Sequence, residues 1–272
     1  MALTFSERKE LILTNREFFF QKQSFVTRDV DIQSIISNPQ ISVITGIRRC
    51  GKSVLLQLIR RELDVDDASI IYLNFNDPKL ANASVSDLQA VFETYFELFE
   101  SEKKYFFFDE VQEIDGWHKI VLDLYERKYK LFITGSNGNL LSKEIATYLT
   151  GRHHQVRLFP FSFKEYLRAK QISSNTHNKS SSELLPIKRC FKSYLEMGGF
   201  PQAINEQRTD LLKEYFESIL YKDIIVRNKV YYAKELKELA FFLLTNNAKL
   251  TSYTKLKSTI NVKSLSTIKE YL

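Results

Sequence analysis

Cysteine is scarce: Cys50 and Cys190 are the two in 272 residues. Neither lies in a C-x-x-C pair or another metal spacing, so the pattern excludes a disulfide framework and a cysteine zinc site. Both are expected as reduced thiols. Long hydrophobic runs are lacking too. None approaches the roughly 18 residues of a membrane span, and the opening stretch MALTFSERKELILTNREFFF carries charges every few residues. The expectation is a cytoplasmic protein with no membrane partner, and no internal repeat organises the chain.

What is present is ordinary globular material, 44% apolar and 26% charged, enough for one large domain and one or two small ones. The net charge of +6 is compatible with a polyanionic partner and equally with solvated lysines on helix faces. Between residues 41 and 170, short apolar runs alternate with helical patterns, which predicts a parallel sheet covered on both faces. ISVIT (41–45), IIYLNF (70–75), YFFF (105–108), LFIT (131–134) and VRLF (156–159) read as strands. One helix follows Gly51. A second, capped by Ser84 or Ser86, carries Leu88, Val91, Phe92, Tyr95 and Phe99. A third uses Ile120, Val121, Leu124 and Tyr125, and a fourth runs from about Leu140 to Leu149.

Beyond residue 160 only helices are expected, starting at a capping box formed by Ser162 and Glu165. QISSNTHNKSSSE (171–183) has almost nothing to bury and reads as a mobile loop. Helices resume at about 187–197 and 210–229. The expected division is a core with an N-terminal arm over 1–160, a helical lid over 161–232 and a helix-turn-helix over 233–272.

Gly46-Ile47-Arg48-Arg49-Cys50-Gly51-Lys52-Ser53 matches G-x-x-x-x-G-K-[ST], directly after a strand and before a helix. That is where a phosphate-binding P-loop must lie. The glycines let successive N–H groups face phosphate oxygens, and the following helix, through Val54, adds its positive end. Lys52 is expected to neutralise the β and γ phosphates of ATP, and the Ser53 hydroxyl to ligate Mg²⁺. Cys50 reads as a small filler whose thiol could also be oxidation-sensitive.

The run YFFF ends in Asp109-Glu110, as a buried strand delivering acids to the same edge as the P-loop would. Asp109 is expected at the metal, and Glu110 at the water that attacks the γ phosphate. The bland alternative is that both merely cap the next helix. Thr134-Gly135-Ser136-Asn137 adds small polar groups beside them, with Asn137 the first choice for contacting water or phosphate; a simple glycine turn capped by Asn139 competes. Arg152, after Gly151, either satisfies helix carbonyls or projects toward a neighbouring subunit's phosphates as an arginine finger. Adjacent His153 and His154 would face opposite sides of a strand, which argues against a metal site there.

These residues resemble a family of prokaryotic AAA+ ATPases, related to archaeal and STAND-like NTPases, in which the ATPase domain precedes a domain of unknown function. The likeness lies in GIRRCGKSVLL (46–56), YLNFND (72–77), FFDEVQEIDGW (107–117), LFITGSNGNLLS (131–142), YLTGRHHQVRLFPFSFKEYL (148–167) and YLEMGGFPQAI (194–204). It implies an α/β fold with a five-stranded AAA+ core and a helical lid. Gly199-Phe200-Pro201 then looks like the G-x-P element that senses nucleotide; from the residues alone it is a helix stop and a proline-started helix. The resemblance also implies a winged helix after the lid and, in many members, a nuclease-like segment that this sequence does not show.

The final residues fit a helix-turn-helix: 234–246, 252–260, a turn at Asn261 and 264–272. On the last helix Leu265, Ile268 and Leu272 should face inward, leaving Ser266, Thr267, Lys269 and Tyr271 outward. Lys249, Lys255, Lys257, Lys263 and Lys269 make contact with duplex DNA one expectation and a plain structural helix the other. With no β-hairpin wing, a truncated chain or split gene is expected. Homo-oligomerisation is left open. Two functions compete: an ATPase coupled to lid movement, and a slow switch in which bound ATP gates the C-terminal half. A GTPase would show N-K-x-D and an ABC ATPase L-S-G-G-Q, and neither motif occurs. A small-molecule kinase fits poorly, because Glu110 is placed for water.

Overall fold

The computed structural model describes residues 3–100, 104–136, 145, 147–175, 180–226, 228–260, 262 and 264–272. The chain forms two compact units, Met1–Leu212 and Lys213–Leu272.

The first unit holds a parallel sheet of five strands: β1 (Ile41–Thr45), β2 (Ile70–Asn74), β3 (Tyr105–Asp109), β4 (Lys130–Gly135) and β5 (His153–Arg157), in the order β2-β3-β4-β1-β5. Side chains alternate along each strand, and two apolar layers follow from that period of two. Val43, Ile71, Leu73, Phe106, Phe108, Leu131 and Ile133 pack on one face with Leu88, Val91 and Val121. Ile44, Tyr72, Phe107 and Phe132 pack on the other with Leu55, Leu56 and Ile59.

The covering helices are α1 (Phe5–Phe20), α2 (Ile32–Ser37), α3 (Lys52–Glu62), α4 (Val85–Leu98) and α5 (Trp117–Glu126). Ser84, rather than Ser86, caps α4, through a capping box with Asp87. The helix expected near Leu140 to Leu149 falls mostly outside the described residues, although Ile145 and Leu149 are buried.

Two features depart from the sequence reading. The fifth strand was expected at 156–159 but begins at His153; it lies at the sheet edge, pairs with β1 alone and is mostly not buried, so no apolar run marks it. The N-terminal stretch, read only as a charged arm, is a 16-residue helix opened by a Thr4–Glu7 capping box. Leu11 and Ile12 join one apolar layer and Phe19 joins the other. Phe19 stacks on Tyr72 with ring centroids 4.1 Å apart. Asn15 Oδ1 accepts from the Asn74 N–H at 2.9 Å, and Arg16 donates to the Ile70 carbonyl at 2.9 Å, so α1 meets the outer rim of β2 with polar groups.

Helices α6 (Phe163–Ala169), α7 (Ser181–Met197), α8 (Pro201–Glu206) and the start of α9 (Asp210–Ser218) complete this unit. The Ser162–Glu165 capping box forms as expected. Helix α7 starts earlier than 187, because Ser180 and Glu183 form a further capping box and Pro186 is accommodated inside the helix. The last three residues of the expected loop 171–183 are therefore helical.

In the second unit, α9 runs into a π-helix over Ile219–Val226, followed by α10 (Ala233–Thr245), α11 (Tyr253–Thr259) and α12 (Leu265–Tyr271). Leu239, Leu256, Ile260, Val262 and Ile268 form its core. On α12 only Ile268 of the expected inward trio is buried; Leu265 and Leu272 are exposed, and Tyr271, three residues on, packs against the core instead. Lys249, Lys255 and Lys269 are exposed and Lys257 is partly so. Asn261 and Lys263 lie outside the described residues, within which no helix is long and apolar enough to cross a membrane.

Candidate functional site

Register places the chemistry. Thr45 lies beside Gly135, and Phe108 beside Ile133, so the P-loop, Asp109-Glu110 and Ser136 all emerge at the C-terminal edge of the sheet. That edge is where doubly wound sheets hold ligands.

Gly46 must be glycine because a β carbon there would stand 2.3 Å from the Leu158 carbonyl oxygen, on the segment leaving β5. The same Leu158 donates its N–H to Thr45 at 2.7 Å, so the approach is fixed by a backbone bond. Gly51 takes φ +99, in the left-handed region, and caps α3 with no side chain. The first-turn amides of α3 are left for an anion. Arg49 is left-handed as well. Ile47 and Arg49 are exposed, Arg48, Ser53 and Val54 partly so, and Cys50 is fully buried. Burial pushes the Cys50 thiol up, against the pull of Lys52 and Arg28. It fills space under Gly46 and is kept protonated, which disfavours the oxidation-sensitive reading.

Lys52 is 4% exposed and its Nζ stands 3.2 Å from Glu110 Oε1. Glu110 Oε2 accepts from Gln112 Nε2 at 2.6 Å and from the Ser136 N–H at 3.1 Å. Its own N–H donates to Thr134 Oγ1 at 2.9 Å. Glu110 holds φ 56, left-handed for a residue with a side chain, a cost of about 1 kcal/mol that these contacts offset. Burial pushes its carboxyl up, but the Lys52 ammonium, with Ser136 and Gln112, outweighs that and leaves it below the ordinary value. It is ionised at neutral pH.

Asp109 is 2% exposed. The Thr134 hydroxyl donates to its Oδ1 in a short hydrogen bond, Tyr72 donates to its Oδ2 at 3.4 Å, and Ser53 also hydrogen-bonds it. Burial and the neighbouring Glu110 charge push its carboxyl up. A buried carboxylate beside a second one, with a hydroxyl at its oxygen, is an all-oxygen donor set of the kind a hard dication takes. Ser53 and Asp109 therefore fit magnesium.

A cleft of about 590 Å³ opens beside Gly51, lined by Val26, Arg28, Val54, Phe161 and Pro201 among others. Pro201 starts α8, and the preceding Gly199 carbonyl accepts from the Phe161 N–H at 2.7 Å.

The structure thus brings together Gly46 to Val54, Asp109 and Glu110. Asn137 lies outside the described residues. Arg152 does not join this site: its carbonyl accepts from Ile41 at the start of β1, and its side chain is exposed at the opposite edge, about 16 Å away at the usual rise of a strand. Sequence reasoning missed Tyr72 and Gln112 at the acidic strand end and Arg28 beside the loop. Only Gln112 carried a usable signal, standing two residues after Glu110.

Fold and site define a P-loop protein of the AAA+ ATPase class, a nucleotide-binding class. Residues 38–167 match the AAA domain family, and residues 188–272 match a domain of unknown function (DUF8612), the two following one another in tandem. The chain is 34% identical over 253 residues to the uncharacterized protein MJ1544 of Methanocaldococcus jannaschii, covering 91% of this chain and 55% of that one. It is also 34% identical over 266 residues to an uncharacterized protein of Haemophilus influenzae, covering 92% of this chain and 64% of the relative. The chain therefore spans less than two thirds of either relative. Among solved structures, the Hsp104–ADP complex of S. cerevisiae is similar at TM-score 0.50 and 13% identity, covering 96% of this chain and 40% of that one, a likeness of fold alone.

Proposed function

We propose that this protein binds ATP in the P-loop and hydrolyses it in a magnesium-dependent reaction. The observation that carries the reading is the convergence of Lys52, Glu110 and Asp109 at one sheet edge, with Glu110 ionised and held by Gln112 and Ser136. The backbone from Gly46 to Ser53 cradles the phosphates, and Lys52 leaves Glu110 to neutralise the β and γ oxygens. Glu110 then orients and polarises the attacking water. Ser53 and Asp109 would hold the magnesium ion, which supplies charge neutralisation to the phosphates when bound. The cleft beside Gly51 receives the base and ribose, and Pro201 on its wall lets the 199–201 turn sense them.

Steady-state phosphate release with Mg-ATP tests this. Wild type should turn over and Lys52→Ala should neither bind nor hydrolyse; equal turnover in the two would overturn the assignment. One observation favours the slow switch: in this conformation Glu110 is engaged by three donors and must be released before it can serve water. A turnover number far below one per minute, with tight ATP retention, would select the switch.

Two further parts belong to the same reading. The exposed Lys249, Lys255 and Lys269 favour a helix-turn-helix that contacts duplex DNA, and salt-dependent DNA affinity that stimulates turnover would support it. Arg152, exposed away from its own P-loop, is suited to a neighbouring copy's phosphates. Arg152→Ala should then slow hydrolysis only under conditions where copies assemble, and a monomer that turns over normally would remove that role.

A further inference from the structure

Arg28 belongs to no motif, yet its guanidinium joins three segments that are remote in sequence. Nε donates to Glu165 Oε1 at 2.8 Å, one terminal nitrogen to the Cys50 carbonyl at 3.0 Å, and the other to the Phe159 carbonyl at 2.7 Å. The group lies over the Phe161 ring at 4.9 Å, and its side chain is only 3% exposed. Glu165 is itself tied down, its two oxygens accepting from the Asp29 N–H and the Ser162 N–H, each at 2.8 Å. Burying an ion pair this deeply contributes little net stability compared with apolar side chains of similar volume. The arrangement therefore calls for a reason other than stability.

The Cys50 carbonyl supplies one. In a planar trans peptide the C=O and the next N–H point in opposite directions. A Cys50 carbonyl held toward Arg28 therefore turns the Gly51 N–H away from Arg28. A cation on the carbonyl also polarises the peptide and makes that N–H a stronger donor. Arg28 is close enough for this to be a steric constraint too, since a β carbon at Gly51 would meet Nη1 at 3.2 Å.

We propose that Arg28 is a positioning residue for the phosphate cradle: it fixes the Cys50–Gly51 peptide so that the Gly51 N–H is presented to the nucleotide, and Glu165 on α6 fixes Arg28 in turn. This rests on the P-loop being an ATP site. The N-terminal segment and the first helix beyond the sheet are thereby wired to the loop through two side chains, and a shift of α6 is felt where the phosphates sit.

The test is competition binding of ATP and AMP to the whole chain for wild type, Arg28→Lys and Glu165→Gln, with thermal midpoints measured alongside. Arg28→Lys keeps the buried charge opposite Glu165 but lacks the fork that reaches Cys50. ATP affinity should fall about tenfold, as expected for one charge-assisted bond, and the affinity for AMP, which lacks the phosphates that the Gly51 N–H would meet, by clearly less in protein that the thermal midpoint shows to be folded. Glu165→Gln keeps Arg28 and should weaken ATP severalfold, again more than AMP. Wild-type ATP affinity in either folded variant, or equal loss for ATP and AMP, would overturn the proposal. Wild-type protein that binds no ATP would overturn the nucleotide reading itself, whereas variants that match an ATP-binding wild type remove this inference alone.

Discussion

Glu110→Gln should tighten ATP binding while abolishing turnover, and the two effects have separate causes. The Lys52 ammonium faces Glu110 at 3.2 Å, with the two side chains 4% and 18% exposed. The three N–H donors of the ammonium can be shared, but on the proposed reading Glu110 competes with the phosphates for the Lys52 charge, and binding ATP weakens the pair. A charge-assisted contact is worth about 1.5–3 kcal/mol, and the remaining water contact at Glu110 reduces this to about 1.4 kcal/mol. Glutamine keeps the shape and can still accept from the Ser136 N–H, but it carries no charge to hold Lys52. ATP affinity should therefore rise about tenfold, at about 1.4 kcal/mol per decade. Hydrolysis should fall about 100- to 10,000-fold, the usual contribution of a positioned acid–base group. Equilibrium titration with a fluorescent ATP analogue and steady-state phosphate release measure the two. Unchanged affinity would refute the competition for Lys52, and unchanged turnover would remove Glu110 from catalysis.

Gly46→Ala forces a β carbon to within 2.3 Å of the Leu158 oxygen, between two backbones already bonded at Thr45. It should cost about 1–3 kcal/mol in urea unfolding and weaken ATP binding; a wild-type midpoint with wild-type affinity would show that the approach is not tight. Phe19→Ala removes a fully buried ring stacked on Tyr72 and touching Phe107, and should cost about 3–5 kcal/mol, whereas a loss under about 1 kcal/mol would mean that α1 is not part of the core. Glu165 carries a pH signature. Burial raises its pKa, but Arg28 and the Asp29 and Ser162 N–H groups outweigh that and lower it from 4.5. A lowered folded pKa means its stabilisation is present above the unfolded value and lost as pH falls through the folded one. The acid limb of the thermal midpoint should therefore be flatter in Glu165→Gln below about pH 4.5, and an unchanged limb would refute this.

The sheet, the P-loop and the acidic strand end were legible because each is local. Four strands are continuous apolar runs, the loop is an eight-residue pattern, and Asp109-Glu110 follows directly on a strand. Pairing of β1 and β3 with β4 then puts them side by side. What escaped was not local. Edge strand β5 has no apolar run, since only one neighbour covers it. Helix α1 hides its inward residues, Leu11, Ile12, Asn15 and Phe19, among charges. Arg28 acts at Cys50 from 22 residues upstream, a distance no spacing rule reaches. Tyr271 displaced the expected Leu265 and Leu272 because packing, not helical phase alone, chose the buried face.

The polar seam between α1 and β2 has a consequence for assembly. The outer strand of a sheet normally offers a row of unpaired N–H and C=O groups on which a second chain can template. Here Asn15 occupies the Asn74 amide, Arg16 the Ile70 carbonyl, and the Tyr95 hydroxyl the Tyr72 amide at 3.4 Å. That rim is already spoken for by side chains of the same chain. A second copy would have to displace these side chains to lengthen the sheet past β2, and a chain stripped of α1 is expected to expose Tyr72 and the strand rim together and so to aggregate more readily.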